Sequence, residues 1–270
     1  MSTMMNIKNE IERLATMDKT ANEEQENKAV KLTKNMTIPD MVKALSPEIK
    51  RALPSVMTPE RFTRIALSAL NNTPALQQCS PLSFIGALLN AAQLGLEPNT
   101  PLGQAYLIPY KNKGQLECQF QIGYKGLIDL AYRNGQMQTI QAQVVYENDQ
   151  FEYEYGLEPK LVHKPAFEDR GEMKYFYGLF RTVNGGFGFS VMSKAEMDQY
   201  AKTYSKAYDS GYSPWKTSYE EMAKKTVIKQ ALKYAPIKTD FQRAISSDET
   251  IKTQLSDDML AVPNETVYVE

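Results

Sequence analysis

Apolar residues in this chain recur every three or four positions from 59 to 94, then alternate from 116 to 122. The first period belongs to helices with one buried face, the second to a strand with one buried face. A chain that changes period in this way must pack helices against a sheet. Thr58-Pro59-Glu60 supplies an N-cap with proline in the first turn, and Phe62, Ile65, Ala66, Ala69 and Leu70 form the buried side of the helix that follows. Ser80-Pro81 opens another helix, with Phe84, Ile85, Leu88, Leu89 and Ala92 inside and Gly95 and Pro98 at its end. Residues 39–45 and 46–53 carry shorter helical patterns.

Strands follow. Residues 104–110 and 116–122 flank the turn Lys111-Asn112-Lys113-Gly114 and predict a hairpin. Leu116, Cys118, Phe120 and Ile122 share one face, while Glu117, Gln119 and Gln121 share the other, which is expected to meet water or a ligand. Gly123-Tyr124-Lys125-Gly126 leads into a helix over 127–133, stopped by Asn134-Gly135. Further strand patterns lie at 139–146, 151–155, 175–183 and 187–192, the last two joined by Asn184-Gly185-Gly186. Ser193 caps a helix to about 208, and Ser213-Pro214 caps one to 235, before Pro236. The fold class is therefore α+β: N-terminal helices, a central antiparallel sheet with hairpins and a connecting helix, and C-terminal helices. Three regions are expected: a polar arm at 1–36, a core at 37–238 and an acidic, flexible tail at 239–270.

The net charge of −1 conceals a division. From Lys194 to Lys238 nine lysines face five acids, whereas from 239 to 270 two basic residues face seven acidic ones. With a screening length of about 8 Å at physiological salt, each stretch acts locally. No apolar run approaches the roughly 20 residues of a bilayer span, and the polar N-terminus has no signal-peptide pattern, so a cytoplasmic setting is expected. Cys79 and Cys118 read as small buried side chains. With a single histidine, His163, they do not make a zinc site. A Gly-rich phosphate loop with its lysine is absent, which argues against an ATP-driven motor.

Two alternatives stay open. Glu152, Glu154 and Glu158 leave room for a Mg²⁺-dependent nuclease, although they read more simply as the solvated side of a strand and loop. Gly186-Phe187-Gly188-Phe189 is similar to the aromatic strand of an RNA-recognition motif, but Gly185 stands where a basic residue would lead it. Those rings read mainly as core and turn residues.

Three features suggest a strand-binding groove. Lys225, Lys229 and Lys233 recur every four residues beside an apolar face, with Lys216, Lys224 and Thr226 nearby. The only acids in that helix, Glu220 and Glu221, precede the stripe, so the lysines are expected to lack acidic partners and to suit a polyanion. Tyr200, Tyr204 and Tyr208 are also spaced by four, interleaved with Lys202 and Lys206, a pattern that suits base stacking beside phosphate. Lys111, Lys113, Tyr124, Lys125 and Arg133 surround the strand–helix junction, where glycines let a phosphate approach the backbone.

The run Asn90-Ala91-Ala92-Gln93-Leu94-Gly95-Leu96-Glu97-Pro98, then Gln104-Ala105-Tyr106-Leu107-Ile108-Pro109-Tyr110, then Gln121-Ile122-Gly123-Tyr124-Lys125-Gly126-Leu127-Ile128 resembles the RecT family of phage annealing proteins. The resemblance continues through Met222-Ala223-Lys224-Lys225-Thr226-Val227-Ile228-Lys229, covers about 46–235, and has the look of the Gram-positive prophage branch. It implies a fold related to single-strand annealing proteins. It also implies single-stranded DNA binding, assembly into rings or filaments, and annealing of complementary strands without ATP. The implied partners are a 5′→3′ exonuclease and the host single-strand binding protein. No cofactor is required, an effect of Mg²⁺ on annealing staying open. The positions matching the family are Tyr124, Lys125, Lys224, Lys225 and Lys229; the other candidates rest on charge and spacing. Because the acidic end is expected to dock partners, removing residues after about 240 is expected to spare annealing itself.

Overall fold

The computed structural model describes residues 36–262 except 56, 113, 206–207, 209–212, 237–238, 253, 257 and 260. The polar arm up to 35, the end from 263, Lys113 and Lys206 lie outside the described residues.

The N-terminal layer is helical: α1 (Ile38–Ala44), α2 (Ser46–Ala52), α3 (Pro59–Asn72) and α4 (Pro81–Leu94). The starts of α3 and α4 follow the Thr-Pro and Ser-Pro signals, as the Thr58 hydroxyl accepts from the Arg61 amide and the Ser80 hydroxyl from the Ser83 amide. Gly95 ends α4 in the left-handed conformation at φ 59°. Phe84, Ile85, Leu88 and Ala91 of α4 are buried against the rest of this layer and against the first hairpin.

That hairpin joins β1 (Ala105–Asn112) to β2 (Gln115–Ile122), paired from Ala105↔Ile122 to Asn112↔Gln115. The helix α5 (Tyr124–Tyr132) begins earlier than the sequence pattern predicts. Gly126 lies inside it because the chain packs too closely for a side chain: a Cβ there would sit 2.1 Å from the Gln104 carbonyl oxygen. A glycine expected to let a phosphate approach the backbone thus serves close packing within a helix.

A three-stranded antiparallel sheet follows, in the order β3 (Met137–Tyr146), β6 (Met173–Thr182), β7 (Phe187–Ser193). One of its faces carries the hairpin β4 (Gln150–Glu154)–β5 (Lys160–Lys164) through an aromatic ladder. Phe151 lies 5.6 Å from Tyr175 and 5.7 Å from Tyr177, and Tyr155 stacks on Phe189 at 5.1 Å between ring centroids. At the base of the hairpin the buried Asp149 carboxylate accepts hydrogen bonds from Arg170, the Tyr146 and Ala166 amides and His163. The Arg170 guanidinium, outweighing burial, holds that carboxyl well below the usual range.

The C-terminal helices are α6 (Lys194–Tyr204), α7 (Pro214–Thr217), α8 (Tyr219–Leu232) and α9 (Thr239–Ser246). The sequence predicts two longer helices; α6 ends at Tyr204, and Ser218 leaves helical geometry (φ −144°) between α7 and α8. The opposite face of the sheet packs on α8, where Phe176 meets Ala223 and Val227 in a cluster with Trp215 and Met197. A Cβ on Gly178 would lie 2.6 Å from the Val227 carbonyl oxygen, so the helix rests directly on the strand backbone.

The acidic segment from 239 departs from expectation. Its described residues up to 262 are packed: Phe241, Ala244, Ile251, Met259 and Val262 are buried, and Thr250 bridges to Phe120. Helix packing and backbone pairing with β2 hold this segment, and two of its acids are used as ion-pair partners rather than being left to solvent.

Candidate nucleic-acid interface

The lysines of α8 point to different places. Lys225 is buried, with 4% of its side chain exposed, and its ammonium donates to Asp248 at 2.9–3.0 Å and to Glu249 at 2.8 Å. Burial alone would depress this group, but the carboxylates of Asp248 and Glu249 outweigh it and raise Lys225 above the ordinary lysine range. Lys229 pairs with the same Asp248 at 3.1 Å, and Lys224 pairs with Glu220 one turn back. Burial would raise the Asp248 carboxyl, yet Lys225 and Lys229 keep it lowered, and it also accepts from the Ile122 amide at 2.7 Å. The expectation that the stripe lacks acidic partners is therefore corrected for Lys225 and Lys229, while Lys233 stays exposed. Residues on the same helix cannot reveal a partner that arrives from the next segment.

The polar face of β2 is closed by the same segment. Gln119 and Gln121 are 7% and 5% exposed, Gln119 donating to the Glu249 carbonyl and Gln121 to the Met222 sulfur. A face expected to meet water or a ligand is largely an internal polar seam between β2, α8 and residues 247–250. Thr226 is buried as well, its hydroxyl donating to the Met222 carbonyl.

Other candidates stay at the surface. Lys111 on β1, Lys125 in the first turn of α5, Lys202 on α6, Lys216 on α7 and Lys233 at the end of α8 are all exposed. The Tyr200 and Tyr204 rings lie 4.5 Å apart; Tyr204 is exposed, and the Lys202 ammonium lies 5.9 Å from the Tyr208 ring. Tyr200 and Tyr208 pack on the Phe176 cluster, so this ridge is divided between core and surface. Arg133 faces the helical layer: its guanidinium donates to the carbonyls of Leu94 and Gly95 and pairs with Asp129. It thereby caps the end of α4.

The structure brings the Gly123–Gly126 motif, with Tyr124 and Lys125, together with Tyr106 and with Gly103, which motif reading did not select. Gly103 and Gly123 meet so closely that a Cβ on Gly123 would lie 2.1 Å from the Gly103 carbonyl oxygen and 3.1 Å from the Tyr106 ring. The Tyr106 ring thus lies against a glycine corner beside Tyr124. Gly103 and Gly123 are far apart in the sequence, and only the fold joins them.

Of the features weighed for other chemistry, His163 and Glu152 have partners within the chain. His163 is nearly buried between Asp149 and the Tyr177 hydroxyl, at 3.0 and 3.2 Å. Glu152 faces Lys160 across the β4–β5 hairpin at 3.9 Å, and Glu154 and Glu158 are exposed. Among the described residues no group of three or more His, Cys, Asp or Glu side chains could hold a metal ion. Phe187 is half exposed, beside the turn, and Phe189 stacks on Tyr155. No helix among the described residues is long and apolar enough to cross a membrane.

An α+β scaffold that presents cations around a hairpin–helix corner, with lysines on a later helix, defines a class of candidate polyanion-binding proteins. Comparison with known sequences makes the assignment specific. The model of the RecT family matches residues 60–262, and the chain belongs to that family. It is 40% identical over 231 residues to Protein RecT of Escherichia coli K12, covering 83% of this chain and 85% of that one. It is also 33% identical over 192 residues to the uncharacterized protein YqaK of Bacillus subtilis 168, covering 70% of this chain and 64% of that protein. Membership places it among recombination and single-strand annealing proteins.

Proposed function

We propose that this protein binds single-stranded DNA through its phosphates and anneals complementary strands without ATP, working as a homo-oligomer. The observation that carries this reading is the family match over 60–262, which spans both the hairpin–α5 corner and α8. Lys111, Lys125, Lys202, Lys216 and Lys233 are assigned as phosphate contacts because their side chains are exposed. Lys225 and Lys229 are assigned to hold α8 against residues 248–249, with Lys229 keeping partial access to solvent.

Binding of this kind is largely independent of sequence and sensitive to salt. One subunit covers few nucleotides, so assembly along the strand supplies avidity. The new duplex provides the free energy of annealing, at roughly 1.4 kcal/mol per base-pair step, so no hydrolysis is needed to drive it. The protein's task is to lower repulsion between two backbones while leaving pairing edges accessible. In this reading the arm at 1–36 contacts neighbouring subunits. Acidic residues beyond 252 dock a 5′→3′ exonuclease or the host single-strand binding protein in the bacterial cytoplasm. The test is annealing of complementary labelled oligonucleotides by purified protein without ATP. Acceleration is expected, and an unchanged rate would end the reading.

A further inference from the structure

Between the β1–β2 hairpin, the start of α5 and the α7–α8 turn lies a cleft of about 200 Å³. Tyr106, Tyr124 and Met222 contribute apolar surface, while the exposed residues Thr217, Ser218 and Glu221 contribute polar groups. We infer that this cleft receives one unpaired nucleobase of a bound strand, an inference that rests on the DNA-binding reading above.

Size supports a single base. A cavity of about 150 Å³ holds a benzene ring, so this cleft suits one heteroaromatic base rather than a base pair. Wall chemistry supports it too, because tyrosine rings and a thioether give a flat base favourable contact whatever its identity. The Tyr106 ring is held in place by the glycine corner of Gly103 and Gly123. The glutamate and the two hydroxyls can meet the amino and carbonyl groups on a base edge.

Electrostatics separates a base from a phosphate. Lys225 lines the cleft, but its charge is already matched by Asp248 and Glu249, and Glu221 adds a negative group. The interior therefore disfavours an anion and accepts a neutral ring. The exposed Lys125, next to Tyr124, is placed to hold that nucleotide's phosphate outside. A base in the cleft cannot pair, so each subunit withdraws one nucleotide until the complementary strand competes for it, while the other bases it binds keep their pairing edges accessible.

The experiment compares the full-length protein's affinity for an oligothymidine with that for an abasic strand of equal length, by fluorescence anisotropy. The wild type is expected to bind the thymidine strand at least about fivefold tighter, as loss of one stacked base would give. In Thr217→Trp, which fills the cleft from its rim, that ratio should fall toward one. Tyr106→Leu provides the same readout should circular dichroism find the tryptophan variant unfolded. Equal affinity for both strands in the wild type, or an unaltered ratio in the folded variants, overturns the pocket alone. Failure to bind either strand overturns the DNA-binding reading beneath it.

Discussion

Lys225 and Lys125 carry the same charge and lie near the same cleft, yet they have different environments. Lys125 stands exposed at the start of α5, whereas Lys225 is enclosed by Asp248 and Glu249. An exposed ammonium is hydrated and can exchange that hydration for a phosphate at small cost. A buried one has lost its water and needs a permanent counter-charge, which here the chain itself provides. The helix that looks most basic in sequence is therefore partly an internal joint, and the smaller cluster around the hairpin is the more available surface.

The most severe way to break this comparison is to delete 239–270. That removes both acids and the strand pairing to Phe120, and should abolish the cooperative unfolding transition in calorimetry, reversing the expectation that this segment is dispensable for annealing. A truncated chain with an unchanged transition would mean the joint contributes little. Asp248→Ala leaves the buried Lys225 with one carboxylate fewer and should cost about 3–5 kcal/mol in urea unfolding. Gly178→Ala drives a methyl group against the α8 backbone and should cost about 1–3 kcal/mol by the same measurement.

Acid titration sharpens the contrast. Because the Asp248 carboxyl is lowered by Lys225 and Lys229, its stabilising contribution is complete above the unfolded carboxylate value of about 4 and is lost as pH falls toward the folded value. Stability followed by circular dichroism should decline below about pH 4 in the wild type and decline less in Asp248→Asn. The smallest effect on the fold is expected at the open site. Lys111→Ala with Lys125→Ala should change stability by no more than about 0.5 kcal/mol. The same pair should reduce the salt slope of single-strand binding by about 0.7 per lost contact. An unchanged slope would remove both residues from the interface.

Much of the architecture could be read directly. The caps before α3 and α4, the β1–β2 hairpin and the turn at Asn184-Gly185-Gly186 are local, since each depends on residues close in the chain. The candidate site was less legible. Tyr124 and Lys125 lie at the corner beside the cleft, but Arg133 caps α4 and Thr226 is buried, because charge and spacing do not reveal what another segment places opposite.

Sequence alone determined the periods, the caps and the turns, and through them an α+β order of elements. Tertiary structure decided which charges remain available. Asp248 and Glu249 are more than twenty positions from Lys225, and only chain folding brings them within ion-pair distance. Local periodicity records which side of an element is polar; whether that side meets water, DNA or another part of the protein depends on packing between distant segments.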